Sequence, residues 1–250
     1  MADPYAEETR WSINRDEIPW LQIFIEGTAI VVSILLAFAI DAWWEKRSLV
    51  QEEREILVGL EAEFVDVKER LEYWADMSST AMILIEKYLS DDVEQMSLPE
   101  IERMFAQAGP LANVLDQGGP VDALLASGRL ERISSQELRI RLAKWPDLME
   151  DIHTNDLSIR EFSHRLIVPY LAKQGIPSRL CPLENVFCTP DAPVPNEYLR
   201  LARNDELRAL LINRRLFYSF AVQDHENAAA EAGLILELIQ SELDRSGGRP

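Results

Sequence analysis

The chain has 250 residues, 47% of them hydrophobic and 27% charged, with a formal net charge of −18. That acidity argues against nucleic acid or anionic lipid headgroups as partners of its soluble part. Only ten glycines are present, and neither a Gly-x-Ser-x-Gly elbow nor a glycine-rich phosphate loop occurs, which disfavours nucleophilic catalysis and a nucleotide fold.

Residues 1–20 form a polar, mostly acidic tail. Leu21–Trp44 follows as a near-continuous apolar run, and Glu45-Lys46-Arg47 closes it. About 20 apolar residues in a helix match the hydrocarbon thickness of a bilayer. Trp20, Trp43 and Trp44 stand where an interfacial aromatic belt belongs. The acidic start and the missing small-residue cleavage site make this a retained transmembrane helix rather than a signal peptide. Inside it, Glu26, Ala29, Ser33, Ala37 and Asp41 fall within about a third of the helix circumference at 100° per residue. Small residues four apart let helices approach closely, and a carboxyl within the hydrocarbon seeks a partner. The face therefore reads as a docking surface for a second copy or another membrane protein. The alternative is a span shifted until Glu26 reaches the interface.

Residues 45–244 read as one all-helical domain, with no clean apolar–polar alternation. Leu57, Leu60, Phe64, Val67, Leu71, Trp74, Ser78, Ala81, Ile85 and Tyr88 alternate at three and four residues, a bundle or coiled-coil seam on a helix continuing from the span. One wall of an intramolecular bundle is favoured over an intermolecular coiled coil, because the later helices need something to pack on.

Ser97-Leu-Pro-Glu100 is a capping box opening a helix that Gly109-Pro110 ends. Val121–Ala126 is a short helix stopped near Gly128. Ser134-Ser-Gln-Glu137 is a second capping box, opening a helix to about Trp145. Pro146 opens a longer one, Asp147 to about Lys173, which Pro169 kinks. Asn204-Asp-Glu206 restarts a helix to about Leu243, and residues 245–250 are expected to be disordered.

Between these helices, Gly175–Asn196 carries five prolines and both cysteines. Cys181 and Cys188 are close enough to close a small disulfide loop, which suits an oxidising compartment, or they are two separate thiols. Arg10 and Arg15 before the span nearly balance Lys46, Arg47 and Arg54 after it. The cysteines tip the topology toward a cytoplasmic N-terminus and a periplasmic domain.

Two Glu-x-x-His motifs, Glu150–His153 and Glu161–His164, match the ligand pattern of di-iron sites, in which the two motifs come from different helices. Here both lie on one expected helix, about 16 Å apart. One dinuclear centre could use both only if the helix broke near Asn155. Otherwise Asp147, Glu150, Asp151 and Asp156 mark a solvated polar face. His225 is expected to be exposed or bonded to a neighbour. No cofactor motif is present, and an enzyme is not the expected reading.

Glu26-Gly27, the apolar run and Asp41-Ala-Trp43-Trp44-Glu45-Lys46-Arg47 form one motif. Leu124-Leu-Ala-Ser-Gly128-Arg-Leu-Glu-Arg-Ile133, continuing to Glu137-Leu-Arg139 and Leu142, forms another. In this order and at this spacing, the pair resembles a bacterial family of single-span membrane proteins of unknown function. The chain departs from that pattern at Trp44, where asparagine is frequent, and in its acidic N-terminal tail. The resemblance implies a single-pass protein of the bacterial inner membrane and supplies no activity. The residues themselves lead to a membrane-anchored helical interaction or scaffold protein. A ligand-sensing module acting through a partner and a metal-dependent enzyme are the alternatives.

Overall fold

A computed structural model describes residues 20–108, 119–175 and 196–247. The described residues are almost entirely helical, joined by short turns, without strands. Contacts divide the chain into two units, Met1–Gln51 and Glu52–Pro250. Helix α1, Trp20–Leu89, belongs to both.

In the second unit the 3/4 seam of α1 turns inward. Leu57, Leu60, Phe64, Leu71, Ala81, Ile85 and Tyr88 are all buried. Helix α7, Asp205–Gly247, runs antiparallel to it: Arg215 pairs with Glu86, and Gly233 approaches Lys68. The seam of α7 has the same rhythm, through Leu207, Leu211, Arg214, Tyr218, Ala221, His225, Ala228, Ala232, Ile235, Ile239 and Glu242, all buried. The α1 seam is thus consumed by the chain's own core, as the intramolecular-bundle reading requires.

The third wall is α4, Gln136–Phe162. Phe64 meets Trp145 edge-to-face, with ring centroids 4.9 Å apart. Arg141 bonds Glu231 at 2.8 Å, and Phe162 packs on Phe217. Two expectations fail here. The helix does not restart at Pro146, which sits inside α4. Anchoring on both sides, by Leu142 and Trp145 before it and Ile152 after it, outweighs the roughly 3 kcal/mol cost of an interior proline. The N-cap is Ser135, not Ser134: Ser135 Oγ accepts from Leu138 N–H at 3.3 Å. The Ser134 N–H is claimed by Glu53 of α1 at 2.6 Å, and Glu137 pairs with Arg141 instead.

A π-turn, Ser163–Ile167, joins α4 to α5, Val168–Lys173. Proline 169 cannot donate to the carbonyl four residues back, and the wider turn accommodates it. The turn inserts one residue into the seam. Ile167, not Leu166, therefore follows Ser163 into the core, leaving Leu166 exposed.

Shorter helices close the ends. Helix α2, Leu98–Ala108, starts as expected: Glu100 accepts the Ser97 N–H at 2.8 Å. Lys87 also donates to Glu100 at 2.8 Å, the larger of the influences holding its carboxyl at about 2. Helix α3, Pro120–Ala126, ends on Ser127, and Gly128 turns the chain with φ of 66°. Arg129 and Arg132 then reach Glu52 of α1 at 2.9 and 3.8 Å. Helix α6, Asn196–Ala202, leads to Asn204, whose Oδ1 accepts from Leu207 N–H and opens α7 as the sequence predicts. Helix α7 continues to Gly247, so Arg245 is helical rather than disordered; Arg245 pairs with Glu242.

Candidate functional site

Helix α1 is long and apolar enough to cross a membrane, and in the first unit its residues 24–44 are all exposed, unburied by the chain. Glu26, Ala29, Ser33, Ala37 and Asp41 all lie on it and all are exposed. Ser33 Oγ donates to the Ala29 carbonyl at 2.7 Å. The hydroxyl is thereby satisfied within the helix, and the Ala29–Ser33–Ala37 face is left small and smooth. At the far end Trp43 and Trp44 stack obliquely at 6.2 Å, with the Arg47 guanidinium 5.5 Å from the Trp43 ring. Trp20 begins α1. Cys181 and Cys188 lie outside the described residues.

The second unit contains an arrangement the sequence reading missed. Its core is two apolar clusters. One is built on Leu57–Leu71 of α1, the other on Ala81–Tyr88. Between them the seams carry polar side chains: Ser78 on α1, Asp156 on α4 and His225 on α7, all buried. Asp156 and His225 are each 4% exposed, with Nε2 3.5 Å from Oδ2. Neither ring nitrogen of His225 has a hydrogen-bond partner among the described residues. Asp156 was expected on a solvated face and His225 on the surface or bonded to a neighbour. The structure instead turns both inward, against each other.

Three turns along α7, Arg214 is fully buried. Its Nη1 donates to the Ile159 carbonyl at 3.0 Å and its Nη2 to Tyr218 Oη at 2.9 Å. The guanidinium also stands 4.4 Å from the Tyr218 ring centroid. Tyr218 in turn donates to the Gln107 carbonyl of α2, and burial pushes its phenol upward. Ser163, the first residue of the π-turn, donates to Ile159 as well, at 3.1 Å. This network stitches α2, α4 and α7 at the point where α4 changes pitch. The signal was in the sequence: carried along α7, the 3/4 rhythm lands on Arg214, His225 and Glu242.

The Glu-x-x-His residues do not converge. Glu150, His153 and Glu161 lie on α4, which is unbroken at Asn155, and His164 lies in the π-turn. His153 is half-buried, whereas Glu150, Glu161 and His164 are exposed, and Glu161 pairs with Arg165. Among the described residues no group of three or more His, Cys, Asp and Glu is placed to hold a metal ion.

A cleft of about 610 Å³ opens among α1, α3 and α4. There Glu63 of α1 accepts the Val121 N–H at 3.1 Å, capping α3 from a neighbouring helix. Burial dominates and raises the Glu63 carboxyl, against the lowering effect of that bond and of Arg70. Gly119 permits the approach, since a Cβ there would lie 1.9 Å from Glu63 Oε1. No family model, curated protein or solved structure matches the chain.

Proposed function

We propose that the chain is a membrane-anchored helical interaction protein that docks through its span to a second copy or to another membrane protein. The supporting observation is the division of labour along α1. From Leu57 on, its seam is used up by the chain's own core, whereas Phe24–Trp44 has no burial within the chain. A helix packing in lipid needs close approach rather than apolarity, and Ala29, Ser33 and Ala37 offer it. The flanking charges and the cysteine pair favour an inner-membrane protein with a periplasmic domain, in keeping with the family it resembles. Ser33→Leu and Ala37→Leu should each abolish crosslinked dimers or heteromers in membranes, while Leu35→Ala, on the opposite side, should not. Equal effects of all three changes would rule out a specific face.

A second reading, a sensory module that signals through a partner, draws on one observation. Buried polar groups and a π-turn gather at mid-bundle, and such irregular turns recur at functional positions. Ligand-dependent recovery of a partner from solubilised membranes would favour it over the constitutive scaffold.

A further inference from the structure

We propose that Asp156 and His225 form a proton-operated latch between α4 and α7. It lies where the core passes from one apolar cluster to the other. Three features carry this.

The first is position. The Arg215–Glu86 and Gly233–Lys68 contacts bracket His225 and set it level with Asp76 of α1, whose exposed side chain lies between the buried Ala75 and Ser78. The Asn155–Asp224 bond at 2.9 Å sets it level with Asp156 of α4. Asp156 and His225 are therefore facing polar seam positions, with Ser78 about half a turn away on α1, and the nearest buried positions before and after each are apolar: Ile152 and Ile159, Ala221 and Ala228, Ala75 and Ala81. A polar layer of this kind opposes the general tendency of cores and is best attested where register or switching matters.

The second is chemistry. A buried carboxylate is costly unless a cation or donors compensate it. Among the described residues, His225 is the only ion-pair partner of Asp156. Imidazole is the side chain whose charge ordinarily changes between pH 5 and 8. A proton taken from solvent onto the ring makes Nε2–H a charged donor facing Oδ2, and the pair can then tighten into a charge-assisted bond. Loss of that proton leaves Asp156 buried beside a neutral ring.

The third is isolation. The groups facing the pair are few. From α1 there is the uncharged Ser78, with Asp76 exposed at the same level; from α4, His153 and Arg160 lie about one turn to either side, half-buried; on α7 itself, Asp224 is engaged by Asn155 and Glu226 is exposed. No other buried ionisable group lies in this layer among the described residues, Arg214 being three turns away along α7.

The consequence is a bundle whose two halves are held in register more tightly when the surroundings are mildly acidic. The chain has only three histidines, His153, His164 and His225, so the test is compact. Hydrogen exchange is followed on the full-length chain in lipid nanodiscs at about pH 5.5 and about pH 8, corrected for intrinsic rates. Amides of 150–162 and 218–230 should be roughly tenfold better protected at the acidic pH, the scale of a bond to a charged group. His225→Gln and Asp156→Asn should each abolish that difference, and His153→Gln should keep it. Circular dichroism checks that each variant folds. If His225→Gln does not, the near-isosteric Asp156→Asn decides the matter. A pH-independent wild type, or a difference that survives in a folded variant of the pair, overturns the latch.

Discussion

Glu63 illustrates how a single carboxyl can be both useful and costly. It caps α3, which favours its charged form, yet burial outweighs the cap and its carboxyl is raised above the ordinary 4.5. The sign follows. The unfolded chain releases this proton near the ordinary value, while the fold prefers to keep it. Glu63 therefore subtracts stability at pH values above its folded titration and subtracts nothing below the ordinary value. Glu63→Gln keeps an oxygen to accept the Val121 N–H and removes the charge. Its melting temperature should exceed the parent's at neutral pH, by on the order of 2 °C, and the advantage should vanish near pH 4. A variant less stable at both pH values would mean that the charge on the cap matters more than its burial. None of this was legible in the sequence, because Glu63 reads as an ordinary exposed position between seam residues Leu60 and Phe64. Only the fold brings α3 to it.

At the scale of elements, periodicity carried most of the information. The α1 seam was readable from Leu57 to Tyr88 because every third or fourth residue is apolar or small, and the Ser97–Glu100 box and Asn204 start were readable from local side-chain chemistry. The failures came where a distant group intervened. Glu53 takes the Ser134 N–H and moves the N-cap to Ser135; packing on both sides holds Pro146 inside α4; the π-turn shifts the inward face by one residue. The Ser127-Gly128 turn is legible in the sequence, and its reason is backbone conformation. Gly128 has φ of 66°, with open space around the position of a Cβ. Gly128→Ala should therefore destabilise the domain by about 1–2 kcal/mol through strain alone, and Gly128→Asn should cost less, since asparagine tolerates that region. Chemical denaturation of the two variants measures the difference. Equal stability of both with the parent would mean that the turn is free to relax.

For the whole molecule, the acidic composition and the apolar run pointed to two parts of different character, and the structure divides the chain near Gln51. The second unit contains both apolar clusters and has its own complete set of walls. Deleting Leu21–Trp44 should therefore yield a soluble, helical protein that melts cooperatively, while the intact chain should resist carbonate extraction from membranes. An aggregated deletion product would show that the domain depends on the span. The long-range design has a further consequence, which concerns synthesis rather than stability. The walls that cover the α1 seam come late in the chain, and α7 begins about 115 residues after α1 ends. At ordinary elongation rates that gap is on the order of ten seconds. Throughout it, Leu57, Phe64, Leu71 and Ile85 emerge with nothing from α7 to bury them. The nascent chain must therefore be shielded while it is made, and a message truncated before α7 should yield a product cleared by proteolysis rather than a smaller working domain.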